Sequence, residues 1–268
     1  MISDRPKATY DFRKDKLLVK IYENRRRMGR AAAGDIVLCI DMLLRTKEEI
    51  NIIFAAAPSQ NDVLASLARR DLEWGRINAF HMDEYIGLSP DAPQGFGNFL
   101  TEHLFGLVGF KSVNLIDPSA KDPYAEAERY SKLLAEHPAD IVVMGIGENG
   151  HIAFNDPPVA DFYDTATVKP VPLDPVCRMQ QVNDGCFSDI SEVPTHALTL
   201  TVPALVSAPY LFCVVPAKTK AAAVLDTLTS DIGEHCPATI LRTRRLAKMY
   251  LDPDSAALLP ESITGKHK

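Results

Sequence analysis

The segment best equipped for proton-transfer chemistry is Met144-Gly145-Ile146-Gly147-Glu148-Asn149-Gly150-His151-Ile152-Ala153-Phe154-Asn155-Asp156-Pro157. Its glycines allow a tight backbone turn and the close approach of a ligand, most directly at Gly145 and Gly147. The turn delivers His151, and imidazole is the side chain suited to moving protons near neutral pH. Carboxylates at Glu148 and Asp156 lie close in sequence, and one of them can fix the ring's tautomer. The alternative is a loop histidine that caps a helix end. A second segment, Phe80-His81-Met82-Asp83-Glu84-Tyr85, puts two acids at the end of an apolar run. A carboxylate partly withdrawn from water there has a raised pKa and can act as a base on a carbon acid. The alternative is a solvated acidic turn. The third segment, Ala55-Ala56-Ala57-Pro58-Ser59-Gln60-Asn61-Asp62, offers small residues and a hydroxyl ahead of an expected helix. Ala56, Ala57, Ser59 and Gln60 are candidate anion contacts on that loop, although an ordinary N-cap reads the same way. It is neither a Walker loop nor a dinucleotide fingerprint. Lys218, Lys220 and Arg178 can add charge-assisted contacts to a phosphate.

These segments need a scaffold that brings them together. Ile50–Ala56, Arg76–His81, Val113–Ile116, Ile141–Met144, Ala197–Val202, Tyr210–Val215 and Leu246–Leu251 read as strands. Helical spacing is expected over Asn61–Arg70, Asn98–Phe105, Tyr124–Glu136 and Thr219–Leu228. It is also expected through Asp15–Ile50, where Leu18, Ile21, Met28, Ala32, Ile36 and Leu43 recur with a helical period. The run Ile141-Val142-Val143-Met144 suits a strand buried on both faces. This alternation predicts one α/β domain over residues 1–268, with residues 1–49 packed on it as a helical segment. Its fold class is a three-layer α/β/α arrangement with a mostly parallel, Rossmann-like sheet. In such sheets ligands bind outside the carboxyl ends of the strands, where all three segments fall. Asp161–Pro194, proline-rich and without clear periodicity, is a candidate cover for that site.

Composition narrows the function. The 268 residues are 46% hydrophobic and 24% charged, with a formal net charge of −6, so no global basic field exists to hold nucleic acid or an acidic membrane. No apolar run reaches the roughly 18 residues of a membrane span. The Met1-Ile2-Ser3-Asp4-Arg5 start lacks a signal-peptide core, so a cytoplasmic protein is expected. Cys39, Cys177, Cys186, Cys213 and Cys236 show no metal-ligand spacing, and an odd count suggests free thiols. No metal, disulfide or cofactor is therefore expected.

Taken together, the Met-Asp-Glu-Tyr-x-Gly-Leu and Gly-x-Gly-x-Asn-Gly-His-Ile-Ala-Phe-Asn segments resemble the glucosamine-6-phosphate deaminase/isomerase family, whose wider superfamily includes 6-phosphogluconolactonases. The resemblance runs in order over roughly residues 50–251. A lactonase would be expected to follow its Gly-His with a Thr/Ser-containing run, so Ile152-Ala153-Phe154-Asn155 favours the deaminase side. The resemblance implies conversion of glucosamine 6-phosphate to fructose 6-phosphate and ammonia by metal-free acid–base catalysis in an assembly of identical subunits. It implies that Asp83 moves a proton between C2 and C1, and that His151 opens the sugar ring. Asn149 and Asp156 would orient the histidine, and Ser59 and Lys220 would hold the phosphate. Glu84, Gly145, Gly147, Arg178 and Lys218 complete the expected substrate contacts.

The chain departs from the family pattern at four places. Asn149 replaces the usual acid, and Asp156 is one methylene shorter than the usual Glu. Ala57-Pro58-Ser59-Gln60 stands for Gly-x-Thr-Pro, and Gln181 aligns with a phosphate-binding arginine that Arg178 could replace from the same helix face. A 6-phosphogluconolactonase-like hydrolase and a catalytically impaired sugar-phosphate-binding protein are the alternative readings.

Overall fold

A computed structural model describes residues 6–261; the first five residues, on which the signal-peptide reading rests, lie outside the described residues. The main sheet has eight strands in the order β1-β2-β11-β10-β7-β3-β4-β6. They are β1 (Tyr10–Lys14), β2 (Leu17–Ile21), β3 (Ile50–Phe54), β4 (Ile77–His81), β6 (Ser112–Asn114), β7 (Ile141–Met144), β10 (Tyr210–Val215) and β11 (Ala247–Leu251). Every neighbouring pair is parallel except the edge hairpin β1–β2.

The central strands are buried on both faces, and their side chains alternate between two cores. Ile52, Phe54, Val143, Phe212 and Val214 point into one, packed under α1 (Arg25–Leu44) and α2 (Asn61–Leu67). Ile53, Val142, Met144, Cys213 and Val215 point into the other, under α4 (Pro123–Glu136) and α7 (Ala221–Thr229). A period of two along buried strands therefore produces the three layers. Helix starts are chemically marked. Asn24 caps α1 by accepting from the Arg27 amide, and Asp122, followed by Pro123, caps α4 by accepting from Tyr124 and Ala125.

Two sequence expectations need correction. Helix α1 does not begin near Asp15; Leu17, Val19 and Ile21 alternate inward along β2, after a turn in which Asp15 takes a φ of 51°. The helical recurrence of Leu18 and Ile21 coincides with a strand period, and pairing with β11 decides between them. Nor does the strand around 197–202 join the parallel sheet. Here β9 (His196–Leu200) pairs antiparallel with β5 (Asp83–Tyr85) and β8 (Val168–Pro172) in a separate three-stranded sheet. Its last expected residues instead open α6 (Val202–Val206), capped by Thr201.

From β3 the chain builds outward through β4 to β6, then returns to place β7 on the other side of β3. The order reverses between β3 and β7, and the crevice at their carboxyl ends is where an open α/β sheet receives a ligand.

Candidate active site

A cleft of about 490 Å³, counting its open mouth, sits at that reversal and is lined by Ala55–Ala57, Ser59, Gln60, Met82, Asp83, Gly145–Gly147, His151, Phe154, Gln180, Gln181 and Lys220, among others. Asp83 reaches it because the chain runs straight on beyond the end of β4. The chain passes through Met82 into β5, leaving the main sheet for the small one, with Asp83 opposite Thr199. The side chain is 6% exposed, and among the described residues it has no hydrogen-bond partner. Burial, reinforced by the neighbouring Glu84 charge, pushes its pKa well above the ordinary carboxylate value.

His151 follows a turn that only glycine accommodates at Gly147, since a Cβ there would overlap the imidazole ring. Its Nδ1 lies 2.7 Å from Asn149 Oδ1 and 2.9 Å from Asp156 Oδ1. Asn149 Nδ2 donates to the same Asp156 oxygen at 2.9 Å, and a carboxylate can only accept, so the amide orientation is settled. Both neighbours of Nδ1 are therefore acceptors, Nδ1 carries the hydrogen, and Nε2 is the ring atom with a free lone pair. Burial alone would raise the Asp156 pKa, but its interaction with His151 and the hydrogen bond from Asn149 outweigh it and hold the carboxyl below its ordinary value. Asn149 thus bridges histidine and acid rather than supplying a charge.

The opposite wall carries groups that could hold an anion. After β3, Pro58–Gln60 forms a single 3-10 turn that leads into α2. Gln60 Nε2 crosses the crevice to Val214 O of β10 and also donates to Ser59 Oγ, both at 3.1 Å. Gly145 permits this crossing, since a Cβ there would come within 2.9 Å of Gln60 Nε2. After β10, Ala217 adopts a φ of 83°, with its amide held by the Asp252 carboxylate at 3.1 Å. That turn starts the 3-10 segment that ends on Lys220. Lys220 is 3% exposed, and among the described residues its Nζ has no hydrogen-bond partner. Burial lowers its pKa against the opposing charges of Asp184 and Glu148. An unpartnered buried ammonium on a cleft wall is a site prepared for an anion.

Three expected contacts are not brought to the cleft. Glu84 is buried behind it, accepting from the amides of Tyr85, Phe96 and Gly97 at 2.8–3.1 Å. Arg178 cannot stand in for an arginine at 181: its Nη2 donates to Ile190 O and Val193 O at 2.6 and 2.7 Å, away from the cleft. Residues three apart on a helix share only roughly one face, and here the phase of α5 (Pro175–Asn183) brings Gln180 and Gln181 to the cleft. Lys218 is exposed and lies outside the cleft wall. From the Asp161–Pro194 segment, Gln180 and Gln181 line the cleft; β8 pairs with β9, and Gln180 Oε1 of α5 accepts from the Glu148 amide at 2.9 Å.

Sequence reading missed Gln180, Phe154 and Arg25. Gln180 and Phe154 carry no local signal separate from core residues. Arg25 lies in the run Arg25-Arg26-Arg27, whose composition alone is that of surface charge. Its Nε donates to Asp62 at 2.6 Å and its Nη2 to Pro58 O at 2.5 Å, fixing the turn that carries Ser59 and Gln60. Arg25→Ala is expected to raise the KM for a phosphorylated substrate by about threefold to tenfold, discounted for its partial exposure, while kcat changes little. Steady-state kinetics would show the split; a kcat loss with unchanged KM would refute the positioning role.

With this geometry in place, the kinship of the chain can be judged. The family of glucosamine-6-phosphate isomerases and 6-phosphogluconolactonases matches residues 23–250. A glucosamine-6-phosphate deaminase of Listeria monocytogenes serotype 4a (strain HCC23) is 33% identical over 215 residues, covering 80% of this chain and 90% of that protein. The Bacillus cereus (strain B4264) deaminase is 30% identical, with 85% and 86% covered. A solved glucosamine-6-phosphate deaminase, described as monomeric, superposes with a TM-score of 0.81 at 26% identity over 90% of this chain and 99% of its own. The family therefore does not require the assembly of identical subunits that the resemblance implies. The Thermotoga maritima 6-phosphogluconolactonase shares the fold, with a TM-score of 0.72 at 20% identity over 88% of this chain and all of its own. No helix among the described residues is long and apolar enough to cross a membrane. By the extent of the family match and the identity to its curated members, the chain belongs to the glucosamine-6-phosphate isomerase/6-phosphogluconolactonase family.

Proposed function

We propose that the protein is an amino-sugar-phosphate isomerase that deaminates its substrate, converting glucosamine 6-phosphate to fructose 6-phosphate and ammonia. The observation that carries this reading is the pairing, in one cleft, of a buried carboxyl of raised pKa with an imidazole whose Nε2 lone pair is free, beside an unpartnered buried ammonium. Lys220, Ser59 and Gln60 hold the phosphate. His151 Nε2 accepts the proton of the C1 hydroxyl and returns it to the ring oxygen, opening the pyranose. Asp83 then removes the C2 proton, leaving an enolamine across C1 and C2. Protonation at C1 moves the double bond to C2 and nitrogen, and water hydrolyses that imine with loss of ammonia. A general acid or base of this kind contributes about 10²–10⁴-fold. A phosphorylated sugar does not cross a bilayer unaided, so the cytoplasm is the compartment that fits this substrate.

Incubation with glucosamine 6-phosphate, with ammonia and fructose 6-phosphate followed together, tests the reading. Equimolar appearance of both is expected. Hydrolysis of a phosphogluconolactone with no ammonia from the amino sugar would move the assignment to the lactonase side. Thermal stabilisation by phosphosugars without any turnover would indicate a binding protein.

A further inference from the structure

We propose that His151, Asp156 and Cys177 form a binding site for a thiophilic divalent cation, Zn²⁺, and that its occupation switches the proton relay off. Each residue offers one donor atom, and the three donors lie within 4.8 Å of one another. All three residues are buried, at 7%, 1% and 1% exposure. The set is one imidazole nitrogen, one carboxylate oxygen and one thiol sulfur, the donor types zinc takes with three protein ligands and a fourth position left open. With zinc–ligand distances of roughly 2.0–2.3 Å, the donors need to close by about 1 Å, a side-chain adjustment. Beyond Asn149 and His151, which share Oδ1, the Asp156 carboxylate is faced by the Asp174 amide and the Cys177 thiol, so the sulfur already lies beside a buried carboxylate. Exchange of that thiol proton for a divalent cation would keep the buried carboxylate compensated. Cys177 is held in place by α5, whose first turn is capped by Asp174. None of the other four cysteines belongs to such a group among the described residues. The ligands come from a loop and a distant helix, so no linear spacing reveals them.

Occupation has a defined chemical consequence. The Cys177 thiol proton leaves to solvent as its sulfur bonds the metal. The imidazole hydrogen moves from Nδ1 to Nε2 as Nδ1 becomes a ligand. Nε2 then meets the cleft as a donor only, without the lone pair that ring opening needs. This inhibitory effect rests on the acid–base role proposed for His151; the binding itself does not.

The test titrates the purified protein with Co²⁺, which reports thiolate ligation by a near-ultraviolet charge-transfer absorption. One Co²⁺ per chain with that absorption, displaced by Zn²⁺ and absent from Cys177→Ser and Cys177→Ala, is expected. Zn²⁺ should slow glucosamine 6-phosphate turnover by about tenfold or more, a chelator should restore it, and the ratio of rates with and without Zn²⁺ should approach one in the Cys177 variants. A folded wild-type protein that takes up Co²⁺ without the thiolate absorption, or takes up none, overturns the site whatever the variants do. So does an absorption that persists in Cys177→Ala. Because the absorption is read without a sugar, a protein inactive on glucosamine 6-phosphate leaves this test decisive, and the two readings fail separately.

Discussion

Asp83→Asn is expected to abolish turnover and to raise the melting temperature at neutral pH. The loss follows from the role: removing the general base should cost about 10²–10⁴-fold in kcat. The gain follows from burial. The Asp83 carboxyl sits beside Glu84 with no hydrogen-bond partner among the described residues, and its folded pKa lies well above the unfolded value. For a carboxyl raised in this way, the folded state binds the proton more tightly than the unfolded chain. Stability is therefore full below the unfolded pKa of about 3.9 and falls as pH rises through the folded pKa. At neutral pH the wild type carries that cost, whereas the near-isosteric amide does not. Melting curves of both proteins across pH should separate toward neutrality and converge in acid. The wild-type kcat/KM should rise through a pKa above the ordinary carboxylate range. Residual turnover within tenfold of wild type would remove Asp83 from the role of base, as estimated above. A variant that melts lower at neutral pH would refute the electrostatic argument.

Lys220→Met should separate stability from ligand response. The ammonium is buried without a hydrogen-bond partner among the described residues, and desolvation lowers its pKa despite Asp184 and Glu148. A lysine whose folded pKa is lowered destabilises the fold fully below that pKa, and the cost disappears as pH rises above the unfolded value. The methionine variant is expected to melt higher than wild type in ligand-free buffer at neutral pH, with the gap closing in alkali. The same change removes the charge that meets the phosphate. Losing one partner of a buried charge pair costs about 2–5 kcal/mol, so KM should rise roughly 30-fold or more. Inorganic phosphate, expected to stabilise the wild type by occupying the cradle, should no longer shift the melting point. A KM within threefold of wild type would show that the amides and Ser59 hold the phosphate without Lys220, against an expected cost on the order of 2 kcal/mol.

Both predictions describe a cleft in which groups needed for chemistry are held at the expense of the fold, the usual reason local rules fail at functional sites. That tension helped make parts of the site legible. A histidine after three glycines, and an acid ending an apolar run, are choices that core packing does not explain. The strands of the parallel sheet were legible for a different reason. Runs such as Ile141–Met144 must be buried on both faces, and that is a property of a few adjacent residues.

Other features depended on distant partners. Leu17–Ile21 satisfies a strand period and, in part, a helical one, and only β11 alongside selects the strand. Glu84 differs from Asp83 by one position, yet the amides of Phe96 and Gly97, at the start of a short helix, take its carboxylate out of the cleft. Arg178 is as basic as a phosphate ligand needs to be, but the carbonyls of Ile190 and Val193 claim it. Arg25 reads as surface charge until α1 docks against α2 and brings it to Pro58. The sequence by itself determined the layered fold and singled out the candidate carboxyl and imidazole and the candidate anion loop, because periodicity, glycine turns and side-chain chemistry are settled within a few residues of one another. The tertiary structure decided which charges face the cleft and which groups orient His151, because a side chain's partners are set by packing between segments far apart in the chain.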